Sequence, residues 1–223
     1  MPSSNPTTLL LVRHAETDDN MAMRLSGWTD SQLSERGERQ VKLLAAHFNG
    51  AHANVVELYS SPLVRARRTA EAIAELTGHS LIFMDDLREM YFGDLDGRPY
   101  EELKEAHADL LAGDEDAEMD DFEWPNGESR SGFARRAREA INQIARAHPG
   151  EPVGIVTHGG IISVFLAQMN GESTANWRRW SVPNASLSEV LWDPESETGE
   201  LIRHGEYAHL GPLEPAEETE EPS

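Results

Sequence analysis

Leu9-Leu10-Leu11-Val12-Arg13-His14-Ala15-Glu16-Thr17, followed by Asn20, is the stretch on which the fold turns. Four consecutive apolar residues read as a strand buried on both faces, the pattern of a parallel strand inside an α/β sheet. They run directly into an Arg-His pair and a polar loop, and ligands in open α/β sheets sit just beyond the carboxyl ends of strands. An Arg-His pair by itself is most often solvated surface. Three distant segments supply what this pair needs. They are Arg65 within Ser60-Ser61-Pro62-Leu63-Val64-Arg65-Ala66, Glu89 within Leu87-Arg88-Glu89, and His158 within Val156-Thr157-His158-Gly159-Gly160.

Outward from the first strand, helices and strands alternate. Asn20 to Asp30 is a polar loop. Ser34 caps a helix whose apolar positions Val41, Leu44, Ala45 and Phe48 fall at i, i+3, i+4 and i+7, and Asn49-Gly50 ends it. Val55 to Tyr59 reads as a second strand. Ser60-Ser61-Pro62 opens a second helix with Pro in its first turn, carrying Val64, Ala70, Ile73 and Ala74 inward to Gly78. Leu81 to Met84 is a short third strand. A helix from Pro99 to Leu111 follows, then the acidic run Asp114 to Asp121, and then a helix around Phe133 to His148 with Phe133, Ala137, Ile141, Ile144 and Ala145 on one face. Val153 to Thr157 is another buried strand, and Gly160 to Met169 an apolar helix. Ser186 to Trp192 and Glu200 to Tyr207 are strands joined by the turn Pro194 to Gly199. This alternation predicts an α/β/α sandwich of one domain, with helices on both faces of the sheet.

Composition bounds the rest. The 223 residues suit one domain of residues 9–212, between a short polar N-terminus, 1–8, and an acidic, Pro-containing tail, 213–223, that reads as disordered. The first eight residues carry neither a cationic start nor an apolar core, so they do not read as a secretory signal. No apolar run approaches the ~18 residues of a spanning helix. Cysteine is absent, which excludes disulfides and thiolate metal sites, and the expected address is the cytoplasm. The net charge is −21, and only Lys42 and Lys104 among the 19 cations are lysines. Such a surface repels nucleic acid and anionic membranes, whose phosphates are bound by an excess of Lys and Arg. An acid-rich, Lys-poor chain resembles proteins of salt-accumulating cytoplasms. The plainer reading is an acidic tail on an ordinary acidic surface.

The ordered set of motifs carries a family resemblance. It comprises Arg13-His14-Ala15-Glu16-Thr17-x-x-Asn20, Gly27-Trp28-Thr29-Asp30, Leu33-Ser34-x-x-Gly37, Leu63-x-Arg65-Ala66-x-x-Thr69-Ala70, Glu89-x-x-x-Gly93-x-x-x-Gly97, Pro125-x-Gly127-Glu128-Ser129 and His158-Gly159-Gly160. From Leu10 to about Leu210 the chain resembles the histidine phosphatases of the phosphoglycerate-mutase-like superfamily. That resemblance implies a mostly parallel sheet with one antiparallel strand and a small helical, acidic cap inserted at about 98–127. It also implies a nucleophilic His14, phosphate clamps in Arg13 and Arg65, Glu89 as general acid and base, and His158 as a cation or donor on the same oxygens. Asn20, Gly27 and Gly159 join them as phosphate-binding candidates.

The chemistry suits these residue types. A neutral imidazole nitrogen can attack phosphorus and split one displacement into two easier ones. Flanking arginines disfavour the imidazolium and match phosphate with a planar fork. Arg67 and Arg68 are expected to face solvent. Glu89 needs a proton near neutrality, and sequence does not decide between the arginines that lower its pKa and a phosphate that raises it. Most members of the family carry Gly where Ala15 stands; were a positive φ required there, Ala would cost about 1 kcal/mol. No P-loop, nucleophile elbow or paired metal-ligating histidines occur, and a metal site from His14, Asp18, Asp19 and His158 has no spacing signature. Neither a metal nor a cofactor is expected. The short acidic insertion, with Arg98 and Lys104 as its cations, favours hydrolysis of a small phosphomonoester. The alternatives are mutase-type phosphoryl transfer, or a binding protein that kept the fold. A homodimer is a further expectation that no motif specifies.

Overall fold

The structure, a computed structural model, describes residues 5–106 and 123–213. The acidic run 114–121, the end of the helix expected through Leu111, most of the cap insertion and the acidic tail from residue 214 lie outside the described residues, as do residues 1–4.

Strands β1 (Thr7–Arg13), β2 (Glu57–Ser60), β3 (Leu81–Phe83), β4 (Pro152–Thr157), β5 (Leu187–Asp193) and β6 (Thr198–Glu206) form one sheet in the order β3-β2-β4-β1-β5-β6. β1, β2, β3 and β4 pair in parallel, and β5 runs against both of its neighbours. The mostly parallel sheet with one antiparallel strand is therefore as expected. Among the described residues the α-helices are α1 (Asp18–Met21), α2 (Glu35–Ala51), α3 (Val64–Thr77), α4 (Tyr100–Ala106), α5 (Arg130–Ala147) and α6 (Gly159–Met169).

The uninterrupted apolar run of β1 explains the layering. Successive side chains of a strand face opposite sides. Leu10 and Val12 join a core with Leu44, Phe48 and Ile73 under α2 and α3. Leu9 and Leu11 join another with Phe133, Ile141 and Ile162 under α5 and α6. Each helix is a surface amphipath whose apolar stripe covers one sheet face. Ser34 caps α2 by accepting from the Gly37 N–H, as expected, and the helix runs one residue past Gly50.

The start of α3 differs from the expectation. α3 starts at Val64, so Pro62 precedes its N-cap, Leu63, rather than lying in the first turn. Leu63 offers no capping side chain, and Asp30 instead accepts the Val64 N–H at 2.9 Å. A cap supplied from 34 residues away leaves no local trace.

Register then assembles the site. Arg13 pairs with Thr157, and Ser60 with Val156, so the carboxyl ends of β1, β4 and β2 end level. The His14 N–H donates to the Thr157 carbonyl at 2.9 Å and the Ser61 N–H to that of Val156 at 3.0 Å. His14, His158 and Ser61 are thereby set side by side at the strand ends. No helix among the described residues is long and apolar enough to cross a membrane.

Candidate active site

His14 is buried immediately past β1, with a tautomer its neighbours dictate. Nδ1 lies 2.7 Å from the Ala15 carbonyl, which can only accept, so Nδ1 carries the proton. Nε2 accepts from Arg65 Nε–H at 3.2 Å and therefore presents its lone pair. Burial first, and the charges of Arg65 and Arg13 second, hold the imidazole well below its usual pKa. The arginine effect was legible in the sequence; the larger contribution, burial, was not. Ala15 has no positive φ, so Ala at this position carries no strain. Its N–H donates to Thr69 Oγ1 at 3.1 Å, which accounts for the threonine in the Arg65 segment.

Arg65 is 1% exposed, and α3 delivers it beneath the 26–29 loop. Nη1 donates to the Thr29 carbonyl at 2.9 Å, and Nη2 to those of Ser26 and Gly27 at 3.2 and 2.7 Å. Gly27 thus meets Arg65 through its carbonyl rather than offering a donor to the cleft. Three of the five guanidinium N–H groups serve the loop, which locks the side chain and leaves Nε–H aimed at His14. Arg13 donates to the Val182 carbonyl at 2.5 Å and packs over Gly159, where a Cβ would stand 3.3 Å from its Nε. Arg67 and Arg68 are exposed, as expected, and Arg68 pairs with Glu38 at 3.1 Å.

His158 is fully buried, its ring centroid 5.2 Å from that of His14. Burial, then Arg65, His14 and Arg13, push its pKa well below the usual value, which favours the neutral ring and a donor over the cation. Its Nε2 lies 2.7 Å from Ser61 Oγ, which already accepts from the Leu63 N–H at 3.3 Å. In the tautomer with the Ser61 hydroxyl donating to Nε2, the proton of His158 stands on Nδ1, which has no hydrogen-bond partner among the described residues. Asn20 closes a capping box with Thr17, and its Oδ1 also accepts from Asn184 Nδ2 at 3.2 Å. Its amide NH2 is left for the cleft that Asn20 lines.

Glu89 Oε1 accepts the Met90 N–H and Oε2 the Gly160 N–H, both at 2.9 Å. Burial raises its pKa; the two backbone donors, Arg65 and Arg13 pull the other way without cancelling that rise. Residues that sequence reasoning passed over hold it in place. Trp28 Nε1 and Arg136 Nη2 both donate to the Glu89 carbonyl, at 2.8 and 3.2 Å. Arg136 also grips the Glu128 carboxylate with two bonds of 2.8 and 2.7 Å, and Glu128 accepts the Tyr91 N–H. Glu128 lay within a quoted motif, but Arg136 carried no signal beyond its place on a helix.

Arg13, His14, Asn20, Arg65, Glu89 and Gly159 line a cleft of about 380 Å³; His158, fully buried, is not in its lining. Beside it lies an apolar pocket of about 320 Å³ walled by Phe92, Tyr100, Trp124, Phe133 and Trp177, with Glu89 and Gly160 at the seam. Arg130 and Arg178 reach this pocket from outside the insertion, so a count of the insertion's own cations overlooked them. Among the described residues, no three His, Cys, Asp or Glu side chains are grouped to hold a metal ion.

A buried neutral imidazole flanked by two arginines, a neutral histidine and a carboxyl of raised pKa is the equipment of phosphoryl transfer. The family model of the histidine phosphatase superfamily (branch 1) matches residues 9–204. The chain belongs to this superfamily. The chain is similar to the metal-independent phosphoserine phosphatase of Arabidopsis thaliana, 35% identical over 84% of this chain and 77% of its own. The probable phosphoglycerate mutase GpmB of Yersinia pestis is 32% identical over 90% and 93%. Among solved structures, a mycobacterial glucosyl-3-phosphoglycerate phosphatase superposes with a TM-score of 0.79 at 30% identity, covering 91% of this chain and all of the other. As a histidine phosphatase superfamily member the chain is a phosphomonoesterase-like enzyme.

Proposed function

We propose that this enzyme hydrolyses a small phosphomonoester through a phosphohistidine on His14. The lone pair of His14 Nε2 attacks phosphorus as the bond from phosphorus to the ester oxygen breaks, and protonated Glu89 gives its proton to that leaving oxygen. Water then attacks phosphorus, its proton passes to the Glu89 carboxylate, and the P–N bond breaks to release phosphate and neutral His14. Arg13, Arg65 and the His158 Nδ1–H neutralise the phosphoryl oxygens, where most of the catalysis of such transfers resides. The observation that carries this reading is the His14 tautomer, with its proton tied to Ala15 and the lone pair of Nε2 facing Arg65 Nε–H in the cleft that both residues line.

The aromatic pocket beside Glu89 supports a leaving group with an apolar body. Mutase-type transfer is a second reading, favoured by Arg130 and Arg178 in the same wall, which suit a second anionic group. Phosphate release from aryl phosphates, with negligible interconversion of 2- and 3-phosphoglycerate, is the expected result. Robust interconversion stimulated by a bisphosphate primer would replace hydrolysis by the mutase reading.

A further inference from the structure

We propose that Asp96 is a positioning residue for phosphate recognition, its carboxylate and the Arg65 guanidinium forming one ion pair relayed through two peptide groups. The proposal rests on the reading of Arg65 as a phosphate ligand.

Gly27 N–H donates to Asp96 Oδ1 and Trp28 N–H to Asp96 Oδ2, each at 2.7 Å. The carbonyls of these same two peptide units, those of Ser26 and Gly27, accept from Arg65 Nη2. In a trans peptide the C=O and N–H point opposite ways, so both units stand between the charges with their dipoles aligned from anion to cation. Thr29 repeats the arrangement through its side chain. Its hydroxyl donates to Asp96 Oδ1 at 3.1 Å, and its carbonyl accepts from Arg65 Nη1 at 2.9 Å.

A cation as buried as Arg65 needs compensation for lost hydration. Glu89, Asp96, Asp30 and Asp19 are the carboxylates around it, and burial is the largest influence opposing its charge. Asp96 alone among them accepts from the N–H groups of the very peptide units whose carbonyls hold the guanidinium, whereas Asp19 is linked only through the Ser26 hydroxyl at 3.0 Å. Hydrogen bonds in series polarise one another, so the charge at Asp96 strengthens the grip of the Ser26 and Gly27 carbonyls, and the Thr29 hydroxyl ties the residue that supplies the third to the same carboxylate. That grip aims Nε–H at His14 and at the phosphoryl oxygens. Asp96 follows Glu89 on the chain, so one loop sets both the acid and the phosphate clamp.

The test is competitive inhibition by inorganic phosphate, measured for Asp96→Asn, Asp96→Glu and Arg65→Lys with two esters of different leaving groups. Asp96→Asn keeps the shape and deletes the charge. It is expected to weaken phosphate roughly tenfold, the loss typical of a charge-assisted contact, with an equal rise in KM for both esters. Asp96→Glu should recover most of that loss. In the Arg65→Lys background, where the planar fork is gone, Asp96→Asn should add less than twofold. Thr29→Val removes one donor at constant size and is expected to weaken phosphate about twofold, which keeps the test alive if Asp96→Asn does not fold. Phosphate inhibition unchanged in Asp96→Asn, or in Thr29→Val where only that variant folds, overturns the relay, as do losses that multiply in full with Arg65→Lys. A wild-type protein that neither hydrolyses esters nor binds phosphate overturns instead the reading of the site beneath it.

Discussion

Glu89 rests directly on Gly160: its Oε2 accepts the Gly160 N–H at 2.9 Å, and a Cβ at position 160 would collide with the carboxylate. The two are 71 residues apart, one on the loop after β3 and the other in the first turn of α6. The glycine pair after His158 therefore serves two neighbours, Gly159 admitting Arg13 and Gly160 admitting Glu89. Gly160→Ala should displace the carboxyl while leaving His14 in place. Turnover of esters with poor leaving groups is expected to fall at least tenfold, about 1.4 kcal/mol of barrier, with a smaller loss for activated esters. Steady-state kinetics across a leaving-group series checks it, and an equal loss on every ester would place the damage elsewhere.

Local pattern carried most of the fold. The apolar run of β1, the Ser34 cap and the period of α2 and α5 each lie within a few residues, and the structure reproduces them. The histidines and arginines of the site were legible because they sit at strand ends or in dense motifs. What sequence did not disclose is how those groups are held. Asp30 capping α3, Asp96 backing Arg65, and Arg136 fixing the Glu89 carbonyl act across 34, 69 and 47 residues, through backbone groups that any side chain could present. Asp96 stood beside Gly97 in a quoted motif, but only the conformation of the 26–29 loop reveals what its oxygens receive. The neutrality of His158 was equally hidden, since burial decides it and burial is a property of the assembled layers.

Stability should fall on the acid side. His14 and His158 are held below their ordinary pKa of 6.5, so under that pH the unfolded chain binds protons that the folded chain refuses. The unfolded state is thereby favoured by about 1.4 kcal/mol per group and pH unit until the folded pKa is reached. Glu89, raised above 4.5, acts in the opposite sense: its contribution is fully present below 4.5 and is lost as the pH rises through its folded value. His52 is lowered as well and His209 is lowered to about 4, so with four histidines against one carboxyl the melting temperature should drop between pH 6.5 and pH 5. His14→Ala should flatten part of that slope, and a slope unchanged in the variant would mean that His14 is not held neutral.

Salt should stabilise the fold. With a net charge of −21 and two lysines, repulsion among surface carboxylates opposes compaction. Screening shortens its reach from roughly 10 Å at 0.1 M to roughly 3 Å at 1 M. Melting temperature is therefore expected to climb with KCl into the molar range, even as the salt weakens phosphate binding. A flat or falling curve would remove the comparison with proteins of salt-rich cytoplasms.

The nucleophile can be separated from the acid by trapping. With Nε2 of His14 as the attacking atom, rapid quenching during turnover should capture a phosphoryl group on His14 that acid releases and base spares, as a phosphoramidate behaves. His14→Ala is expected to lose both the label and turnover, because the attacking atom is gone. Glu89→Gln removes only the proton. It should lose two to four orders of magnitude with ordinary esters, whose leaving oxygen needs protonation, yet still take phosphate from activated esters. Label should then accumulate on Glu89→Gln, since the water that clears the phosphohistidine has lost its base. Arg13, Arg65 and the His158 donor supply the charge stabilisation, so hydrolysis should continue in EDTA. Full activity in His14→Ala would reject the phosphohistidine outright, and loss in EDTA restored by a divalent ion would assign the charge stabilisation to a metal.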